Sequence, residues 1–352
     1  MPSTDIVRGV RTLIKNKLMP EVLPRWQEQV SFGLSAYSLS EFHSAASNAR
    51  MVVANPNTAV SKSERLLSNI GLANQFGGIF DSLGLVKPSS YVNIDHSHMN
   101  GLTALVGAVQ TRKGRALPCL VETTYSEDLS ARYDTPPREQ ALRWNKQAAR
   151  LSQCFTGHCI DSLQDFHDRL GFWPKLVFDR WFANYSLVTH LSAEGAIYYI
   201  RLKAGRYVEC EGKRVKAEQL EKDAVIELFD LRLRIVRSPK DGKNDEPWYI
   251  LTNDFSSSRA KVIRIYYHRF EIEEDFKDIK HILGLKRTRF NNPNSLKVIL
   301  WLMALGMALL YLVTKQLVRT TQAAHPKKQR SWFRIAFEAW QRSIHEHMVL
   351  TG

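Results

Sequence analysis

The chain has 352 residues, 44% of them hydrophobic and 24% charged, enough to bury a core in one large domain or two to three smaller ones. Lys and Arg number 49 against 35 Asp and Glu, a formal charge of +14 that favours a polyanionic partner, either nucleic acid or an acidic membrane face. Four scattered cysteines (Cys119, Cys154, Cys159, Cys210) exclude a disulfide framework and fit reduced thiols in a cytosolic protein; Cys154 and Cys159, with His158 and His167 nearby, match no common zinc spacing.

The first 18 residues, MPSTDIVRGVRTLIKNKL, carry charges every few positions and no apolar h-region, so they do not read as a signal peptide. Residues 1–88 show helical periodicity, with a basic arm (Arg8, Arg11, Lys15, Lys17) suited to phosphate contacts. At residue 90 the texture changes. Tyr91 to Ile94 is a short strand ending in Asp95, and Thr103 to Thr111 and Ala116 to Glu122 follow as strands. Pro137 to about Gln153 and Asp161 to Leu170 read as helices, and KLVF (175–178) is a buried-type strand ending in Asp179.

Beyond a helical segment near Asn184 to Leu191, residues 195–255 are β-rich: AIYYIRLK, RYVEC, AVIELF, LRIVR and WYILTN, with KDGKNDEP (240–247) as a polar loop. A charged helix then spans YYHRFEIEEDFKDIK (266–280), and NNPNS (291–295) can cap the helix after it. That helix contains 16 uncharged residues, Val298 to Val313, short of the about 20 needed to cross a membrane; its expected place is a core. From 281 onward there are eleven Lys/Arg and two acids, Glu338 and Glu346, which favours a DNA-binding surface over a uniformly basic shell.

At about 100° per residue, Tyr266, Arg269, Glu273 and Lys280 fall within an arc of about 60° on one helix. Ile272, Phe276 and Ile279 form the adjacent apolar stripe, leaving Glu271, Glu274, Asp275 and Asp278 to face solvent. Spacing alone is equally met by an amphipathic helix with internal salt bridges. Asp95 and Asp179, each ending a short strand, can project into a cleft, and with Glu273 they make an oxygen donor set suited to Mg²⁺ or Mn²⁺.

Tyr266-x2-Arg269-x3-Glu273-x6-Lys280 resembles the Y(2)R(3)E(6)K signature of the IS4 family of DDE transposases, the group of the Tn5 and Tn10 transposases. VNID at Asp95, LVFDRWF at Asp179 and the β-rich stretch before the signature resemble the family's order over roughly residues 88–315. The resemblance implies an α/β fold with an RNase H-like catalytic core at 89–194 and 256–315. A β-rich insertion at 195–255 interrupts it, an N-terminal helical DNA-binding domain (1–88) precedes it and a basic C-terminal helical tail (316–352) follows.

It further implies that Asp95, Asp179 and Glu273 are the catalytic metal triad, holding two Mg²⁺ ions per active site, with Mn²⁺ able to substitute. Tyr266, Arg269 and Lys280 would grip DNA phosphates, and Trp248 would stack on a flipped base, its bland alternative being a strand-end core residue. The implied function is cut-and-paste transposition of an insertion sequence, via a hairpin. The partners are the terminal inverted repeats, target DNA and a second protomer, with no membrane, in a prokaryotic cytoplasm at the nucleoid.

This sequence departs from the family at Trp181, where relatives carry Gly, and at His96 and His98 after Asp95, where phosphate contact or a surface position is expected. The alternatives are a metal-dependent nuclease without strand transfer and a non-catalytic DNA-binding derivative.

Overall fold

The computed structural model describes residues 3–38, 44–111, 115–129, 155–239, 246–285, 290–321, 337–338 and 340. The expected helix from Pro137 to Gln153, most of the 240–247 loop and nearly all of the tail beyond 321 lie outside them.

Five helices open the chain: α1 (Ser3–Leu13), α2 (Gln27–Gly33), α3 (Ala45–Arg50), α4 (Pro56–Leu67) and α5 (Ile70–Asp81). Asn55 and Asn69 cap α4 and α5 by accepting backbone N–H groups of the first turn. Strands β1 (Tyr91–Met99), β2 (Leu102–Gln110) and β3 (Ala116–Tyr125) form an antiparallel meander, followed by a short helix α6 (Ser126–Leu129). Next come α7 (Phe155–Leu170), β4 (Lys175–Phe178) and α8 (Tyr185–Ala193).

Strands β5 (Tyr198–Leu202), β6 (Tyr207–Cys210), β7 (Lys213–Lys216), β8 (Asp223–Leu228), β9 (Leu231–Arg237) and β10 (Tyr249–Thr252) lead to α9 (Arg259–Tyr267), α10 (Phe270–Lys277) and the 29-residue α11 (Pro293–Thr321). All ten strands join one sheet, ordered β3-β2-β1-β4-β5-β10-β9-β8-β6-β7, in which β4 is parallel to both β1 and β5. The β-rich stretch is therefore continuous with the central sheet, joined through β5 and β10.

Alternation along the strands divides the sheet into two faces. Val92, Ile94, Leu176, Phe178, Tyr198 and Ile200 enter the main core, while Tyr91, Val177, Tyr199 and Ile250 pack with Val262, Ile265 and Tyr266 of α9 on the other side. The main core is centred on α11, whose residues from Leu296 to Leu310 include an unbroken buried run. Asn292 caps it through the N–H of Asn294, with Pro293 in the first turn, as the NNPNS stretch suggests.

Helices α1, α4, α5 and strand β3 pack on α11, so residues 1–88 share one core with the sheet. By length and composition α11 is the one described helix able to cross a membrane, and the protein already covers most of its apolar surface.

β1 runs past Asp95 to Met99 rather than ending there. Asn100 and Gly101, at φ of 51° and 81°, make the tight turn that folds β1 onto β2.

Candidate active site

Ile94 and Phe178 are register partners in the parallel β1–β4 pair, so Asp95 and Asp179 follow at the same level on adjacent strands. By alternation both lie on the face covered by α9. β4 ends at Phe178, and Asp179 begins the 3-10 turn Arg180–Phe182, which is anchored by buried Phe182 against Phe178 at 5.3 Å.

Glu273 arrives from a helix that is not continuous. The 266–280 stretch breaks at His268-Arg269 into α9 and α10, and Asp278–Ile282 closes it as a π-helical turn. At the break the backbone steps through i,i+3 bonds, Arg269 N–H to Tyr266 O and Glu271 N–H to His268 O. Asn93, buried in β1, donates its amide to the His268 carbonyl at 3.0 Å. Gln110 of β2 donates to Asn93 Oδ1 at 2.7 Å and to Ile265 O at 3.1 Å. Strands β1 and β2 thus fasten the break two residues from Asp95. The sequence signal of Asn93 and Gln110 is an amide set against apolar neighbours, within YVNI and at the end of LVGAVQ.

The break delivers Arg269 to the carboxylates. Its guanidinium lies 3.6 Å from Asp95 Oδ2 and 2.5 Å from Glu273 Oε1, and the residue is 4% exposed. Burial pushes the Asp95 carboxyl up to about 6; the His96 N–H at 2.8 Å and Arg269 work against this, while the charges of Asp179 and Glu273 add to it. Arg269 therefore bridges Asp95 and Glu273, and Asp179 is near enough for its charge to act on both Asp95 and Arg269. As oxygen donors the three carboxylates suit a hard divalent ion. Their spacing, with the guanidinium between Asp95 and Glu273, is not that of ligands on one ion, and no ready metal-ligand group occurs among the described residues.

The expected DNA-contact residues have different surroundings. Tyr266 is fully buried, its ring 5.4 Å from that of Trp248, and burial raises its phenol. Trp248 is 5% exposed and also touches Phe270, the strand-end core position that was its alternative reading. Lys280, on the π-helical turn, has its ammonium 5.6 Å from the Phe276 ring.

The solvent-facing expectation for four acids is corrected for three of them. Glu271, Asp275 and Asp278 are buried against the β2–β3 connection. There Glu271 accepts the Thr111 N–H at 3.0 Å, and Arg115 pairs with Asp278 at 2.5 Å and with Glu274 at 3.5 Å. Asp275 is buried, and burial, with the charge of Asp278 adding to it, lifts its carboxyl well above the ordinary range. His96 is half-buried among rings, 4.9 Å from Phe155 and 5.1 Å from His98, and burial lowers its imidazole. Cys119 and Cys159 are buried and free.

Residues 157–309 match the family model of the transposase DDE domain. The match includes Asp179, Trp248, Tyr266, Arg269, Glu273 and Lys280, begins after Asp95, and covers under half of the chain. No curated protein matches the chain at a significant level. The segment that carries two of the three clustered carboxylates is thus similar to a transposase DDE domain.

Proposed function

We propose that the protein is a DNA transposase of the IS4 type, with Asp95, Asp179 and Glu273 as its metal-binding carboxylates on an RNase H-like core. The observation that supports this reading is the bridging of Asp95 and Glu273 by Arg269, with Asp179 close enough for its charge to raise the Asp95 carboxyl. The match to a transposase DDE domain supports it independently.

The three carboxylates would hold divalent ions, Mg²⁺ first and Mn²⁺ in its place. When bound, such ions activate water and stabilise the charge that develops on the scissile phosphate. The residues themselves supply positioning. Asp95 lies in β1 and Asp179 directly follows the paired end of the neighbouring parallel strand β4, so the sheet register brings the two to the same level. Glu273 rides on a helix pinned through Asn93.

Arg269 neutralises Asp95 and Glu273 in this state, and a DNA phosphate offers its guanidinium a bidentate alternative. Trp248 and Tyr266 pack on each other, so base stacking by Trp248 would require that contact to open. Terminal inverted repeats and target DNA are the substrates on this reading, two protomers would synapse two ends, and a hairpin is the expected route of second-strand cleavage.

The test is Mg²⁺-dependent cleavage and strand transfer on duplexes carrying the element's own ends, with Asp95→Asn, Asp179→Asn and Glu273→Gln as controls. Cleavage and joining by wild type alone are expected. Variants that cut like wild type would overturn the site, and hydrolysis without joined product would assign a nuclease instead.

A further inference from the structure

Trp181, two residues after Asp179, is 67% exposed although its neighbour Phe182 is locked into the core. Its ring is not bare, because Lys203 Nζ lies 5.9 Å from the ring centroid. Lys203 opens the turn between β5 and β6, closed by the Arg206 N–H to Lys203 O bond. At the other end of that turn the Arg206 guanidinium lies 5.4 Å from the Phe229 ring. Phe229 in turn meets Tyr185, at the start of α8, edge to face at 5.3 Å. One turn of the β-rich stretch therefore links two aromatic–cation pairs to the segment that follows Asp179.

Phe229 and Asp230 both adopt φ of 59°, in the β8–β9 turn, where side chains are rarely tolerated. The Tyr185 and Arg206 contacts hold Phe229 in that conformation. Arg180 is exposed beside Trp181, and Arg201 sits two residues before Lys203. Among the described residues Arg180, Arg201, Lys203 and Arg206 make no salt bridge; Arg180 and Lys203 are exposed, and Arg201 and Arg206 are half-buried.

Aromatic faces interleaved with unpaired cations are the chemistry that holds single-stranded nucleic acid: bases stack on the rings and phosphates track the charges. We propose that this patch takes the unpaired strand of a cleaved DNA end, with Trp181 stacking on a base and Arg180, Arg201, Lys203 and Arg206 meeting the phosphates. The proposal rests on the DNA-cleavage reading above and adds a binding surface outside the signature residues.

The experiment follows binding of a fluorescein-labelled 12-nucleotide single strand to the full chain by anisotropy, alongside duplex cleavage. Trp181→Ala is expected to weaken single-strand binding about tenfold, the effect of losing one stacked base, while Trp181→Phe stays within about threefold of wild type. The double variant Lys203→Gln/Arg206→Gln is expected to reduce the slope of log affinity against log salt by about 1.4, for two lost phosphate contacts.

Wild-type affinity and an unchanged salt slope in these variants, from a protein that still binds and cuts DNA, would overturn the proposal. A wild type that neither binds the strand nor cuts duplex would overturn the cleavage reading itself.

Discussion

Gly77 and Gly78 are neighbours in α5, yet alanine at the two positions is expected to change stability in opposite directions. A Cβ on Gly78 meets nothing within 4 Å, so Gly78→Ala should stabilise by about 1 kcal/mol from helix propensity. A Cβ on Gly77 would fall within 3.0 Å of Nη1, Cζ and Nε of Arg169 and displace that guanidinium.

Arg169 pairs with Asp81 at 2.9 Å, donates to the Cys119 carbonyl at 3.1 Å and lies 5.8 Å from the Trp301 ring. It thereby joins α5, β3, α7 and α11. Breaking a fully buried pair costs about 3–5 kcal/mol; these partners are partly exposed, so about 3 kcal/mol is the working figure for the pair and its hydrogen bond. Set against the propensity gain of about 1 kcal/mol, Gly77→Ala should lose about 2 kcal/mol.

The penalty should also depend on pH. Burial pushes Asp81 up to about 6, with Arg169 opposing the rise. A folded value above the unfolded one of about 3.9 means that the contribution of Asp81 to stability is intact below about pH 4 and lost as pH rises through 6. Displacing Arg169 deepens that loss, so the cost of Gly77→Ala should grow from pH 5 to pH 8. Urea midpoints at constant m measure all of this. Equal stabilisation by both alanines, or a penalty that persists in an Arg169→Met background, would refute the steric and electrostatic account.

Three other outcomes follow from the site. Asp95, at about 6, must lose its proton to hold a cation, so Mn²⁺ affinity by calorimetry should rise about tenfold per pH unit below 6 and level off near 7; affinity independent of pH from 5 to 7 would remove Asp95 from the ligands. Asn93→Ala leaves the His268 carbonyl without its amide partner and should cost about 2 kcal/mol together with most of the cleavage activity. Undiminished cleavage would show that the helix break does not position Arg269. Arg115→Met removes the cation beside Asp278, Glu274 and buried Asp275, and should destabilise by about 3 kcal/mol at pH 8 but less at pH 5, where Asp275, raised by burial, holds its proton more fully. An equal loss at both pH values in urea titrations would contradict that electrostatic origin.

Strand β4 is legible residue for residue in KLVF, and the capped apolar helix in NNPNS and the run after it, because each is written in local pattern. The full length of β1 was also available: Asn100-Gly101 is a strong hairpin signal, but the aspartate drew the strand end to itself. β7 is KRVK, too charged to show alternation, and it is an edge strand, where charge blunts further pairing. The break at His268 has no local mark, neither Gly nor Pro, because its anchor is Asn93, 175 positions away. The burial of Glu271, Asp275 and Asp278 was invisible for a related reason. A helical wheel assigns charges to solvent, and only the fold brings Arg115, 163 positions from Asp278, to meet them.

The same break changes what the four signature positions are. On one continuous helix, Tyr266, Arg269, Glu273 and Lys280 would form a single exposed stripe. In two pieces, Tyr266 belongs to α9 and fills the small core with Trp248, while Arg269 and Glu273 form an i,i+4 pair at the start of α10 that reaches Asp95. Their first physical role is therefore internal: one ring completes packing, and one cation opposes the rise that burial and neighbouring acids impose on the Asp95 carboxyl. Exposed ring area lies instead just beyond Asp179, where Trp181 stands out from a turn pinned by Phe182. The motif sets the electrostatics of the carboxylates, while the surface that reaches solvent beside them comes from residues outside it.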